Sequence, residues 1–295
     1  MLRASRRAYG LGAVLSALGL ALVIGVVVVA LSTFSLRSHP GHVASVFGIR
    51  LALPAANPAA VALLVLATLG LAVLVTLLRG ALAILSGHRR LRRGLPVVGP
   101  LPGEPDVVVF ASESVHAFCA GLARPRVYVS AGALSVLGPD ELRAVLAHER
   151  MHLARRDPLR IVTGRLLGEA LFFAPAVRAL VHRYDTLAEL AADDYALAAV
   201  GGDRAVVASA MLAFDAGVAP ERADHVLGLP GDWTLPVALC TLTLAGAAAL
   251  AMLVWQLAHH AVLRTALVSP APCIVVLAAV PLCALALGRV ASRRF

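Results

Sequence analysis

The chain has 295 residues, of which 60% are apolar and 15% charged, and its mean hydropathy is +0.85. Soluble domains hold about 45–50% apolar and about 25% charged residues, so this composition excludes a disordered chain, a coiled coil and an ordinary soluble enzyme. The net charge of +9 is carried by arginine, with no lysine in the chain. Where arginines cluster at the ends of apolar runs they mark cytoplasmic flanks, so no direct nucleic-acid partner is expected.

No charged side chain lies between Arg7 and Arg37, nor between Arg50 and Arg79. A membrane span needs roughly 20 apolar residues, so each gap holds one, over about 11–31 and 59–78. The first follows Arg3, Arg6 and Arg7. It is longer than the roughly 7–15-residue core of a signal peptide and reads as an uncleaved signal-anchor. A polar region follows over 88–232. It opens with a Pro/Gly-rich linker, Gly94 to Pro105, and two Val-rich β-like runs, Asp106–Phe110 and Arg126–Ser130. Gly138-Pro139-Asp140-Glu141 starts a helix, with proline in the first turn and acids at the positive end of the dipole. This helix ends near Asp157-Pro158.

The apolar stretch 161–181 carries Arg165, Glu169 and Arg178, and is read as an amphipathic or re-entrant helix against the bilayer or the domain core. A helix over 185–200 closes at Gly201-Gly202. A third span, about 233–258, is bracketed by Trp233 and Trp255. A fourth, about 266–288, contains Pro270, Pro272 and Pro281 and ends in Arg289, Arg293 and Arg294. The arginine excess then places both termini and the polar region in the cytoplasm. The expected organisation is a two-span region (1–87), a cytoplasmic domain (88–232) and a second two-span region (233–295). Cys119, Cys240, Cys273 and Cys283 read as small apolar residues, with Cys119 as a metal-ligating switch the lesser alternative.

The polar region carries His148-Glu149-Arg150-Met151-His152 on its central helix. Residues four apart share a helix face, so both imidazoles can bind one Zn²⁺. Glu149, about 100° round the helix, can take a proton from a water activated by the metal, the chemistry that amide hydrolysis at neutral pH requires. Three protein ligands leave one position open, and no His-x-x-Gly-x-x-His continuation follows His152. Glu189 as third ligand, with Asp193 one turn on as acceptor for a ligand histidine's far nitrogen, would complete the site. A fifth span over 161–181 would part Glu189 from His148, a further reason to read that stretch as non-spanning. Tyr184, His182 and Tyr195 are candidates for an oxyanion donor, but spacing selects none of them. His259 and His260 could sense pH or metal.

These residues resemble the membrane-bound gluzincin metallopeptidases, most of all the BlaR/MecR-type antirepressor family. The resemblance rests on Ala147 through His152, on Asp157, on Glu189-Leu190-Ala191-Ala192-Asp193 and on Pro125 through Gly132, and it covers about residues 112–217. It implies a mainly α membrane protein. Four transmembrane helices would surround a cytoplasmic α+β gluzincin-like zinc metalloprotease domain inserted between spans two and three. It further implies that His148, His152 and Glu189 bind zinc, that Glu149 is the general base, and that Asp157 and Asp193 support the ligands. Ala117 and Phe118 would form an edge where an extended substrate docks by strand addition. HtpX-like and CAAX prenyl-protein peptidases share the two helical motifs. The penicillin-binding sensor domain of the best-known antirepressor sensors is not expected here, since few residues follow the last apolar run and the outer loops, about 32–57 and 259–265, are too short to fold as one. The expected protein is a multi-pass cell-membrane zinc endopeptidase, in contact with lipid and acting on a protein or peptide, such as a cytoplasmic repressor. Quality control of membrane proteins, or a non-proteolytic receptor or scaffold, are the alternatives.

Overall fold

The computed structural model describes residues 1–37, 42–46, 49–53, 55–214, 218–229, 231, 234–261 and 263–266. In chain order these form α1 (Leu2–Ser32), β1 (Phe34–Arg37), β2 (His42–Val46), β3 (Ile49–Leu53), β4 (Ala55–Ala56) and α2 (Pro58–Gly94). Next come β5 (Val97–Leu101), β6 (Glu104–Phe110), β7 (Ala117–Ala120), β8 (Arg126–Ser130), α3 (Ala131–Val136), α4 (Pro139–Arg155) and α5 (Asp157–Ala170). The last are α6 (Pro175–Ala199), α7 (Arg204–Ala213), α8 (Pro220–Leu227), α9 (Val237–His260) and β9 (Leu263–Ala266). The chain divides into two compact units. One comprises residues 1–13, 82–168 and 176–236, the other 14–81, 169–175 and the residues from 237 on.

The first unit is built on a four-stranded sheet in the order β5-β6-β8-β7. β6 and β8 run parallel, Val107 opposite Val127, and β5 and β7 flank them antiparallel as the two edges. Alternate residues of a strand face one side. Val107, Val127 and Val129 are accordingly buried together with Ala133, Leu137, Val145, Leu146 and Ala210. This core fixes α4 to the sheet. α4 starts where the sequence places it, and the Glu141 carboxylate caps that start by accepting from the Gly138 N–H at 2.8 Å. At the other end Arg156 takes φ 56°, the left-handed region, and its N–H returns to Leu153 O at 3.1 Å. That reversal starts α5 at once with Asp157.

Gly132 follows the Ser130 cap of α3 because no side chain fits there. A Cβ would sit 2.0 Å from Glu113 O.

Three expectations for this unit change. The Gly94–Pro105 linker contains a strand, β5, which pairs with β6 from Val97 to Leu101. β7 is a further strand that its short run, Ala117–Ala120, did not announce. The stretch 161–181 is not one helix, because α5 ends at Ala170 and α6 begins at Pro175. Proline disfavours helical backbone in the residue before it and suits a first turn, so Ala174-Pro175 keeps the turn after Ala170 from rejoining the helix and begins α6. α6 therefore starts ten residues before the expected Asp185.

In the second unit Val26, Ala30, Leu63 and Val254 share a core. Leu171, of the segment between α5 and α6, is buried against Gly19 of α1, where a Cβ would meet it at 3.2 Å. Among the described residues α1, α2 and α9 are long and apolar enough to cross a membrane. At about 1.5 Å per residue α1 and α2 run roughly 46 and 55 Å, well beyond a hydrocarbon core of about 30 Å. α2 continues past the expected end of the second span, through Arg89-Arg90 and Arg92-Arg93, to Gly94. The expected outer loops pair as strands, β9 lying between β1 (parallel) and β4 (antiparallel), with β2 and β3 as a hairpin. Asn57 caps α2 by accepting from the Ala60 N–H at 3.0 Å, and donates to His260 O at 2.5 Å. The expected fourth span past Ala266, its C-terminal arginines, Trp233, Cys273 and Cys283 lie outside the described residues.

Candidate metal centre

His148 and His152 stand one turn apart on α4, with ring centroids 5.0 Å apart. Their Nε2 atoms approach to 3.3 Å, and each lies 3.5 Å from one oxygen of the Glu189 carboxylate on α6. The far nitrogens are held as well. His148 Nδ1 is 3.0 Å from Asp193 Oδ1, and His152 Nδ1 is 3.0 Å from Asp157 Oδ2. Both aspartates are fully buried. A carboxylate only accepts, so each Nδ1 carries a proton, and with a metal in place of the Nε2 proton each Nε2 would present its lone pair toward the same point as Glu189.

This donor set fits zinc. With ligands at about 2.0–2.2 Å in a tetrahedron, neighbouring donor atoms stand about 3.3–3.5 Å apart, the spacing seen among these three side chains. The charges agree. Glu149, Asp157, Glu189 and Asp193 surround two imidazoles, a field that favours a cation. Burial alone would lower the His148 pKa, but its bonds to Asp193 and Glu189 and the charge of Glu149 raise it to about 9. Burial likewise opposes ionisation of Glu189, yet the His148 bond and the charges of His152, His148 and Arg222 hold it down at about 2. Asp193 and Asp157 also lie below the usual carboxylate range, because Arg222 with His148, and His152 with Tyr184, outweigh their burial.

The histidines, Glu149, Asp157, Glu189 and Asp193 border one cleft of about 840 Å³. Ala117 and Phe118 line it from β7, the edge strand, and Ile84, His88 and Leu91 from the end of α2. The structure thus brings the expected ligands, base, supporting aspartates and edge residues to one cleft. Cys119 lines the cleft too, but burial and then the charges of Glu149 and Asp157 push its thiol up to about 12, so it stays protonated. Tyr184, His182 and Tyr195 do not line it.

One participant escaped the sequence, and another takes a different role from the oxyanion donor it was a candidate for. Arg222 on α8 clamps Asp193 with Nη2 at 2.6 Å and Nε at 2.9 Å, and places Nη1 3.2 Å from Glu189. Nothing in its Pro-Glu-Arg context singles it out, since only the packing of α8 brings it to α6. The Tyr184 hydroxyl donates to Asp157 Oδ1 at 2.5 Å, so this tyrosine holds a carboxylate instead of facing the cleft.

The model of the family described as BlaR1 peptidase M56 matches residues 41–227, more than half of the chain. The chain belongs to that family. Shorter stretches are similar to Protease HtpX of Chromohalobacter salexigens, 39% identical over 84 residues that make up 27% of this chain and 28% of the relative. Protease HtpX of Psychrobacter sp. is 37% identical over 83 residues, 27% of each chain. The Protease HtpX homolog of Desulfotalea psychrophila is 36% identical over 76 residues, 24% of this chain and 26% of its own. The chain therefore spans little more than a quarter of the length of these relatives. Membership in a peptidase family, the three apolar helices and a His/His/Glu group compatible with zinc describe a membrane protein of the metallopeptidase kind.

Proposed function

We propose that this protein is a multi-pass cell-membrane zinc endopeptidase that cuts a protein or peptide at the cytoplasmic face. The observation that carries the reading is the convergence of both Nε2 atoms and Glu189, with each far nitrogen tied to a buried aspartate. His148, His152 and Glu189 would hold the ion, and Asp193 and Asp157 would orient the histidines. Zinc held there supplies Lewis acidity, which lowers the pKa of water and polarises a scissile carbonyl. Glu149, beside the ligands in the cleft, takes the proton of the attacking water and returns it to the leaving amine. An extended substrate lies along β7, whose outer edge has no strand partner among the described residues, and main-chain hydrogen bonds hold it beside Ala117 and Phe118.

The domain between the second and third spans would face the cytoplasm together with both termini. The arginines in the first turns of α1 and in the last turns of α2 support this orientation. Residues 161–181 would lie against the bilayer without crossing it. Phe172 and Phe173, exposed at the turn between α5 and α6, and the 3.5 Å approach of Glu189 to His148 support that placement. A cytoplasmic repressor is the favoured substrate, because the BlaR1 family match is far longer than the HtpX matches that favour membrane-protein quality control.

The test is metal content by mass spectrometry of detergent-purified wild type, His148→Ala and Glu189→Ala. The expected result is about one zinc per wild-type chain, lost in both variants. Co-expression with a candidate repressor and with an unrelated misfolded membrane protein then reads the substrate, Glu149→Gln serving as the inactive control. Full zinc retention by Glu189→Ala removes the third ligand from the reading. A wild type without zinc returns the receptor or scaffold alternative.

A further inference from the structure

The far side of the site, away from the cleft, is closed by the first turns of α1. Met1, Leu2, Ala4 and Ala8 pack on Met151 of α4 and on Tyr184, Leu187 and Ala191 of α6. Inside this apolar contact lies a polar chain. Ser5, with no exposed surface, accepts from Arg155 Nη2 at 2.9 Å and donates to Leu2 O at 3.0 Å. The same Nη2 lies 3.4 Å from the Tyr184 hydroxyl, and Arg155 Nε lies 3.5 Å from Asp157 Oδ1. Tyr184 donates to that oxygen, and the other Asp157 oxygen holds His152.

A buried guanidinium is costly unless it is paired, and Arg155, 9% exposed, has Nε and Nη1 without hydrogen-bond partners among the described residues. Packing alone gives no reason for a charge in this position; an apolar side chain would fill the space at lower cost. What the charge does is fix one oxygen of Asp157 while His152 takes the other. Neither Ser5, Arg155 nor Tyr184 borders the cleft, so none can touch a substrate there.

We propose that Ser5 and Arg155 are positioning residues: the start of α1, through Ser5, Arg155 and Asp157, sets the orientation of His152 and thereby the metal affinity and geometry of the site. The inference rests on the reading of His148, His152 and Glu189 as a metal centre. It makes the segment that leads into the first apolar helix part of the site's support, so that displacing this helix start loosens one ligand and leaves His148 in place.

The test uses the full chain in detergent, with Zn²⁺ affinity from chelator competition, the visible spectrum of the Co²⁺-substituted protein, and thermal unfolding of the metal-free form. Ser5→Ala removes one hydrogen bond to a charged group and is expected to weaken metal binding by about three- to tenfold. Arg155→Met removes the support of Asp157 and is expected to weaken it by up to about tenfold, the low end of the range for groups that orient metal ligands. Both are expected to change the cobalt bands. Leu187→Ala trims the same helix contact but keeps every group of the polar chain, and is expected to lower the unfolding temperature with a smaller change in affinity and cobalt bands than Ser5→Ala. If Arg155→Met does not fold, Ser5→Ala decides alone. Wild-type affinity and bands in Ser5→Ala, or an equal shift in Leu187→Ala, overturn the positioning role while the metal centre stands. A wild type that binds neither ion overturns the metal centre itself.

Discussion

His152 is held by an aspartate five residues along the chain, at the reversal between α4 and α5, whereas the aspartate that holds His148 comes from α6. On the His152 side the supports are Tyr184 and Arg155, both directed at Asp157 and away from Glu189. On the His148 side Arg222 grips Asp193 and touches Glu189 at 3.2 Å. The two sides therefore offer equivalent nitrogens on unequal foundations. One is a local support that acts on a single ligand; the other is an assembled support in which one cation steadies an aspartate and restrains a neighbouring ligand.

The comparison can be broken first at the ligands themselves. His148→Ala and His152→Ala should both lose zinc, seen as near-zero metal content after gel filtration, because either leaves only two protein ligands. Retention by one of them would make the two sides unequal at the nitrogens as well.

Next come the aspartates. Asp193→Ala should weaken zinc about a hundredfold and Asp157→Ala about tenfold, the two ends of the range for groups that orient metal ligands. The inequality arises because Arg222, released from Asp193, becomes a full-strength competitor for Glu189. Chelator competition measures both, and equal losses would remove the special role of Arg222.

That role is sharpened by a double variant. Adding Arg222→Met to Asp193→Ala should recover a measurable part of the lost affinity, since it removes the cation that competes with the metal for Glu189. A simple sum of the two single effects in the same titration would count against it.

The smallest effect is expected from Tyr184→Phe, which leaves Asp157 its contacts with His152 and Arg155. Loss of one hydrogen bond contributes about 1 kcal/mol, roughly fivefold in zinc affinity at most. A larger loss would make Tyr184 the main support of Asp157.

The local half of this site was legible in the sequence because its spacing is set by helix geometry. The one-turn separation of His148 and His152, the acids at the start of α4 and the adjoining Asp157 all lie on one short segment, where period and capping chemistry dictate position. The Glu189–Asp193 pair was legible as a motif, because four residues on a helix again share a face. The strand β5 was not, and the edge strand β7 was reached through the family resemblance alone. Four or five residues of mixed character do not declare a strand, and only pairing with β8 and β6 creates one. The split at Ala174-Pro175 was written in the proline but outvoted by the apolar character of the run.

By itself the sequence pointed to the class of chemistry proposed, because His spacing on a helix is a local property, and it determined the apolar lengths that α1, α2 and α9 present. Only the tertiary structure decided what holds the ligands. Arg222, Tyr184, Arg155 and Ser5 come from four different helices, and their meeting depends on how buried apolar faces pack, which no local period encodes. Buried polar groups must find partners wherever the packing leaves them, so these supports are fixed last and by the whole unit.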